Sequence, residues 1–260
     1  MAKKKLLYID PVGTDLELEQ TFLSYLCKYA AEDTEVTVKS LGKAPMDLEY
    51  RYYLALIGQD LLRMVKQAEK DGYDAVILGC FMDPYLDTAR EICTKMVVVG
   101  PAEASLKLAT TLGRTFSVMV ANYKSVPPMR DNIYRLGFKD QLTSFRSLDL
   151  AIEELLEDDQ RTEQLMHSAI RAAIVEDHAE VIVMGCTLQL GHFESLQKTY
   201  GLPVIDICVA ALKYAEYLVA VRDVCQWNSS KLGDYSTPPS VRLRGWGLEK
   251  KYGVEGLFED

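Results

Sequence analysis

The chain contains one unit twice. "DAVILGC" at Asp74–Cys80 returns as "EVIVMGC" at Glu180–Cys186, and the shift of 106 residues that takes Asp74 onto Glu180 keeps the alignment ungapped through the glycine and the cysteine. Further on, the same shift places Val98-Val99 on Val204-Ile205, and Ala104, Leu106, Lys107 and Ala109 on Ala210, Leu212, Lys213 and Ala215. With a different offset, Leu7-Tyr8-Ile9-Asp10 pairs with Met119-Val120-Ala121-Asn122. A duplicated strand, cysteine turn, helix, strand and helix restricts the fold to two related halves.

The local pattern says what kind of halves. Short β-branched runs at Lys5–Ile9, Glu35–Lys39, Ala75–Leu78, Met96–Val99, Phe116–Val120, Leu142–Phe145, Val181–Met184 and Pro203–Ile205 alternate with longer helix-patterned segments. Continuously apolar runs mark strands covered on both faces, so an α/β fold with mainly parallel sheets is expected. Within Tyr50–Lys70 the residues Leu54, Ile57, Leu61, Met64, Val65 and Ala68 are spaced as a buried helical stripe that Asp71-Gly72 terminates. The expected organisation is a first half from residues 1–100 plus 207–225, a second half from 101–206, and an extended C-terminal arm at 226–260. The arm carries Trp227, Tyr235, Trp246, Tyr252 and Phe258, aromatic residues that need a surface to bury against. It is expected to wrap its parent domain or a neighbouring subunit and to help build a homo-oligomer.

Composition narrows the partners. A length of 260 residues with 48% hydrophobic content supports a sizeable core, and a formal charge of −9 disfavours nucleic acid and anionic membranes. No apolar run approaches a membrane span, and the stretch after Lys3-Lys4-Lys5 is too short for a signal peptide, so a cytoplasmic protein with a small-molecule substrate is expected. The six cysteines, at 27, 80, 93, 186, 208 and 225, form neither a disulfide framework nor a metal pattern, and reduced thiols with no metal are the expectation.

Chemistry centres on the duplicated cysteines. In an open parallel sheet, ligands bind beyond the carboxyl ends of the strands, where Cys80, Cys186, Asp10 and Asn122 are expected to fall. Asp83-Pro84 reads as an N-cap and first helical position, placing a helix N-terminus just behind Cys80 and favouring its thiolate. Two halves facing one another would set the thiols on opposite sides of a bound carbon acid. One, as thiolate, removes the α-proton and the other, as thiol, returns a proton to the opposite face. A lone strand-end cysteine is commonly a small buried hydrophobe, but two at repeat-equivalent positions point to function. Asn122 and Thr187 are candidates to hold a substrate carboxylate or imide oxygen, and Phe81 and Tyr85 to line an apolar wall. For Cys27, Cys93, Cys208 and Cys225 packing is expected, for the acidic run Glu153–Asp159 a solvated helix face and turn, and for His167, His178 and His192 helix-surface positions.

The stretches "GCFMDPYLD" at Gly79–Asp87, "VVVGPAEASLKLA" at Val97–Ala109, "SVPPMRDNIYRLGF" at Ser125–Phe138 and "VIVMGCTLQL" at Val181–Leu190 resemble the aspartate/glutamate racemase superfamily, most closely the hydantoin racemases. The resemblance spans roughly residues 5 to 222. It implies two pseudosymmetric Rossmann-like, flavodoxin-like halves with the active site in the cleft between them. It also implies no cofactor, with Cys80 and Cys186 as the opposed acid/base pair of a racemase or epimerase acting on a hydantoin or an amino-acid-like compound. The same superfamily includes maleate isomerase-like and arylmalonate decarboxylase-like enzymes, and a non-catalytic binder or thiol sensor is a third reading. The chain departs from the hydantoin racemase pattern at three places. Asp10-Pro11-Val12-Gly13-Thr14-Asp15 stands where an N-P-N-S-S-like loop is usual, Met82 replaces a small residue, and Thr187-Leu188-Gln189 follows the second cysteine. Asp10, if it lines the site, would repel a carboxylate substrate unless its own carboxyl is held neutral.

Overall fold

The computed structural model describes residues 3–258. Met1, Ala2, Glu259 and Asp260, which belong to the expected first half and arm, lie outside the described residues. The chain runs β1 (Lys4–Gly13), α1 (Leu16–Tyr29), β2 (Thr34–Leu41), α2 (Arg51–Lys70), β3 (Ala75–Leu78), α3 (Leu86–Ile92), β4 (Val97–Val99) and α4 (Pro101–Leu112). It continues with β5 (Phe116–Val120), α5 (Val126–Arg135), β6 (Leu142–Ser147), α6 (Glu154–Glu157), α7 (Asp159–Val175), β7 (Val181–Met184), α8 (Phe193–Tyr200), β8 (Val204–Ile205) and α9 (Ile207–Cys225). Two short helices, α10 (Ser240–Gly245) and α11 (Leu248–Tyr252), lie in the C-terminal segment.

Two compact units emerge. One holds the chain up to Leu78, Pro84–Val99 and everything from Lys213 on, and the other holds Gly79–Asp83 and Gly100–Leu212. Each has its own four-stranded parallel sheet, ordered β2-β1-β3-β4 in the first and β6-β5-β7-β8 in the second. The strand order is the same in both, so the duplication in sequence is a duplication in topology. Such parallel pairings require crossover helices on the faces of the sheet, which explains why the inner strands β3 and β7 are apolar throughout rather than alternating. Ala75–Leu78 and Val181–Met184 are buried at every position.

In the first unit, Tyr8 of β1 stacks on Phe22 of α1 with ring centroids 5.3 Å apart. Helix α2 buries Ile57, Leu61, Val65 and Ala68, the stripe read from its spacing, and each large side chain so buried contributes about 1.5–3 kcal/mol. Gly72, at φ +80°, turns the chain out of that helix. Strand β1 runs four residues past Ile9, into the stretch compared with a loop, because Gly13 pairs with Leu41 of β2 and donates its N–H to the Pro45 carbonyl at 2.8 Å. Pro11, which has no N–H to give, sits in the register shift between Asp10 and Gly13. In the second unit the core gathers Met119 and Ile182 from strands, Met166, Ile170 and Leu196 from helices, and Leu150 from the loop after β6.

The segment after α9 lies on the first unit. Lys231 Nζ donates to the carbonyls of Arg90 and Glu91 at 2.5 and 3.2 Å, Tyr235 to Asp87 at 2.9 Å, and Thr237 to the Glu91 carbonyl at 3.1 Å. These contacts tie residues 231–237 to α3. No helix among the described residues is long and apolar enough to cross a membrane.

Candidate active site

The Cys186 turn follows from two local constraints. At the end of β7 the Gly185 N–H donates to the Met119 carbonyl of β5 at 2.7 Å, and a β-carbon on Gly185 would lie 2.8 Å from that same oxygen. Only glycine permits this approach. Cys186 then leaves the strand in an extended conformation, φ −135° and ψ 136°, as the N-cap of a single 3₁₀ turn, Thr187–Gln189. Thr187, half-buried, accepts the Cys208 thiol on its carbonyl at 3.8 Å.

Cys80 occupies the corresponding place after β3, and the Asp83 N–H closes its turn on the Cys80 carbonyl at 3.0 Å. Asp83 and Pro84 do not begin a helix behind this cysteine, as the sequence suggested. Asp83 has φ +46°, Tyr85 has φ +57°, and α3 starts only at Leu86. The Asp83 carboxylate caps a different helix, accepting the N–H groups of Ala102 and Glu103 in α4 at 2.8 and 2.9 Å. That reach, across to a helix whose first residue is Pro101, is what holds Asp83 in its left-handed conformation.

Cys80 and Cys186 are both half-buried, and none of the six cysteines, all among the described residues, is in a disulfide. Phe81 is 1% exposed, and its carbonyl lies 3.5 Å from Asn132 Nδ2 of α5. Asn122, just after β5, opens the 3₁₀ turn Tyr123–Ser125 and donates its amide to the Leu150 carbonyl at 3.3 Å. The second unit therefore carries Cys80, Phe81, Asn122, Cys186 and Thr187, whereas Asp10 belongs to the first. Tyr85, considered for an apolar wall, instead braces α2: its hydroxyl donates to the Leu54 carbonyl at 3.0 Å and its ring covers Gly58.

Asp10 is 5% exposed at the end of the regular pairing of β1. Burial, then the neighbouring carboxylates of Glu19 and Asp15, push its carboxyl up from an ordinary 3.8 to about 7. Glu19 is itself held by the backbone N–H of Ser40 at 3.0 Å and by the Ser40 hydroxyl, and Asp15 by the N–H groups of Glu17 and Leu18, both at 3.1 Å. Below about pH 7 Asp10 is predominantly an uncharged hydrogen-bond donor.

The remaining cysteines divide. Cys93 and Cys208 are buried, and burial pushes the Cys93 thiol up to about 12. Cys27 and Cys225 are exposed, against the expectation that they pack: Cys27 follows the buried Leu26 on α1, and Cys225 is the last residue of α9, in a stretch exposed from residue 223 on. His192 is no surface histidine either: its side chain is 14% exposed and its Nε2 lies 3.2 Å from Asp159. His167 faces the Tyr200 hydroxyl at 3.0 Å. In the acidic run, Asp158 caps α7 by accepting the Arg161 N–H at 3.0 Å. No group of three or more His, Cys, Asp or Glu side chains among the described residues is arranged to hold a metal ion.

Two residues of the second copy have roles that the sequence did not give. Gln189 is fully buried and accepts the Cys186 N–H on its amide oxygen at 3.2 Å. Asp206 caps α9 through the N–H groups of Cys208 and Val209 at 2.8 and 3.0 Å. The duplication held the signal, since the 106-residue shift sets Gln189 on Asp83 and Asp206 on Gly100.

Comparison with known proteins gives a consistent answer. Residues 8–215 match the family model described as Asp/Glu/Hydantoin racemase. A hydantoin racemase of Rhizobium meliloti is 35% identical over 205 residues, 79% of this chain and 83% of that protein. Another from Pseudomonas sp. (strain NS671) is 31% identical over 218 residues, 83% of this chain and 85% of its own. Among solved structures, allantoin racemase from Klebsiella pneumoniae superposes with a TM-score of 0.84 at 26% identity, covering 91% of this chain and 94% of that one.

Proposed function

Because the chain belongs to the Asp/Glu/hydantoin racemase family, we propose that it is a cofactor-independent racemase of 5-substituted hydantoins, the ureido-substituted allantoin among them, with Cys80 and Cys186 as its two acid/base groups. One observation carries this reading. Both cysteines sit on the same turn of a duplicated unit, each just past the end of a fully buried strand and each accepting on its carbonyl the N–H of the residue three further on, at 3.0 Å for Asp83 and 3.1 Å for Gln189.

The chemistry follows from the substrate class. The C5–H of a hydantoin lies next to a ring carbonyl, so its removal leaves an enolate. A thiolate on one face takes that proton, breaking C–H and forming S–H. The thiol on the other face then gives its proton to C5 and becomes the thiolate. The net result is inversion, with the protonation states of the two cysteines exchanged and nothing consumed. Thiols suit this because both forms are accessible near neutral pH.

The polar residues are assigned in the same terms. Asn122 and Thr187 supply an amide and a hydroxyl to the carbonyl oxygens on which enolate charge develops. Phe81, buried beside Cys80 in the chain, contributes apolar surroundings to the Cys80 turn. A neutral, N–H-rich ring fits an acidic protein better than an amino-acid carboxylate does.

The test is racemisation followed by polarimetry over hydantoins, allantoin and amino acids, with deuterium incorporation at the stereocentre measured in D2O. Racemisation with exchange is expected for the hydantoins, falling by about 10²–10⁴-fold in Cys80→Ser and in Cys186→Ser. Exchange at the original rate in both variants would reject the two-thiol reading.

A further inference from the structure

Gln189 is fully buried beside Cys186 and engages it from both of its own ends. Its Oε1 accepts the Cys186 N–H at 3.2 Å, while its backbone N–H is directed at the Cys186 carbonyl at 3.1 Å and at the Cys186 sulfur, the two halves of a reciprocal cap. Its Nε2, buried with it, has no acceptor among the described residues. A side chain present only to fill space does not require an amide with an unmet donor, since an apolar group of the same length would avoid that cost.

The duplication explains how this side chain became available. In the first copy the residue three after the cysteine, Asp83, caps α4, and Gly100 leaves the room for it. In the second copy Asp206 stands where Gly100 would, and caps α9 by itself. The helix that follows needs nothing from position 189, and the side chain there turns back onto the cysteine instead. Exchanging Asp and Gly for Gln and Asp thus moves the cap from one end of the pair to the other and leaves a polar side chain for a second use.

We propose that Gln189 is a positioning residue for Cys186. By holding the Cys186 N–H it fixes the turn in which the Gln189 N–H points at sulfur, and that donor stabilises negative charge there when the thiol gives up its proton. Cys80 and Cys186, equivalent in the duplication, are thereby served by different side chains. This rests on Cys186 taking part in the proton transfer proposed above.

The experiment reads the thiol and not turnover. Alkylation of Cys186 by iodoacetamide is followed against pH in the unliganded protein by peptide mass spectrometry, with exposed Cys225 as the internal reference, in the parent, Gln189→Met and Gln189→Glu. Methionine loses the acceptor for the Cys186 N–H, and glutamate keeps an acceptor but adds charge beside sulfur. Both are expected to move the Cys186 profile to higher pH, making alkylation at pH 7 about three- to tenfold slower while Cys225 is unchanged. An unshifted Cys186 profile in the folded variants overturns the proposal, and should methionine not fold, glutamate decides alone. Loss of folding in both, read by circular dichroism, makes Gln189 a structural residue and also overturns it. Because no substrate is involved, a null result here leaves the racemisation proposal standing, and absence of racemisation leaves a shifted profile meaningful.

Discussion

A β-carbon on Gly100 would lie 2.4 Å from Cγ of Asp83, so the carboxylate that caps α4 occupies the space a side chain would need. Gly100→Ala is expected to expel Asp83 from the cap and to leave the Ala102 and Glu103 N–H groups without their acceptor. A loss of about 2–4 kcal/mol, read as a shift in the urea midpoint, is the expected outcome. Asp83→Ala should cost a similar amount, and the double variant little more than either alone, since both remove one interaction.

Asp10 makes stability depend on pH in the direction opposite to an ion-paired carboxylate. Its folded-state value of about 7 lies above the ordinary 3.8, so the folded chain holds this proton more tightly than the unfolded chain. The contribution is fully present below the unfolded value and is lost as pH rises toward and through 7. Asp10→Asn removes the titration, so the variant should be more stable than the parent at pH 8, by up to about 4 kcal/mol, with little difference at pH 4. Urea midpoints at the two pH values check this, and equal differences at both would refute it.

Arg222 of α9 grips the start of β3, donating to the Asp74 carboxylate at 2.7 Å and to the Asp74 carbonyl at 3.1 Å. The Asp74 carboxylate in turn accepts the Lys5 N–H of β1 at 2.9 Å. Arg222→Ala should cost about 1–3 kcal/mol, because a partly buried carboxylate loses its cation. Lysine should restore less than half, having one head group for two acceptors. Chemical denaturation of the three proteins decides.

Residues 226–260 bring both contacts and exposed apolar surface. Lys231, Tyr235 and Thr237 hold α3, and the Tyr252 carbonyl accepts from Gln59 of α2 at 3.0 Å, while Trp227 and Trp246 stay 72% and 66% exposed. Exposed tryptophans of this kind suit a second copy of the chain. Removing residues 226–260 should lower the melting temperature by several degrees and reduce the solution mass measured by light scattering. Unchanged stability and mass would sink the expected homo-oligomer role of this segment.

Thiol labelling should separate the cysteines by environment. With its thiol pushed up to about 12 by burial, Cys93 is expected to stay unmodified by iodoacetamide at pH 8 in the native protein, while exposed Cys27 and Cys225 react. Peptide mass spectrometry before and after unfolding gives the answer.

Eight parallel strands, the helices between them and the doubled cysteine turn were legible in order because the signals are local. A run such as Ala75–Leu78 is apolar on both faces wherever it pairs, and Gly185 declares its own close contact. The partner of a short polar side chain is not local. Asp83 stands beside a proline as a helix cap should, yet its acceptors serve residues 102 and 103, because two left-handed residues swing the chain before α3 begins. Cys225 looked like Cys208 in sequence, yet Cys208 is buried near the start of α9 and Cys225 is exposed at its last residue.

By itself, then, the sequence determined the duplication, the parallel α/β class and the two cysteines that define the candidate chemistry, since all three reside in composition and spacing along the chain. Only the tertiary structure decided the settings of those residues. The neutral carboxyl of Asp10 comes from burial beside Glu19 and Asp15. The exchange of caps between Asp83 and Asp206, which turns Gln189 onto Cys186, comes from which backbone N–H groups the fold brings within 3 Å of each carboxylate. Protonation and hydrogen bonding depend on distances between residues far apart in the chain, and those distances exist only once it has folded.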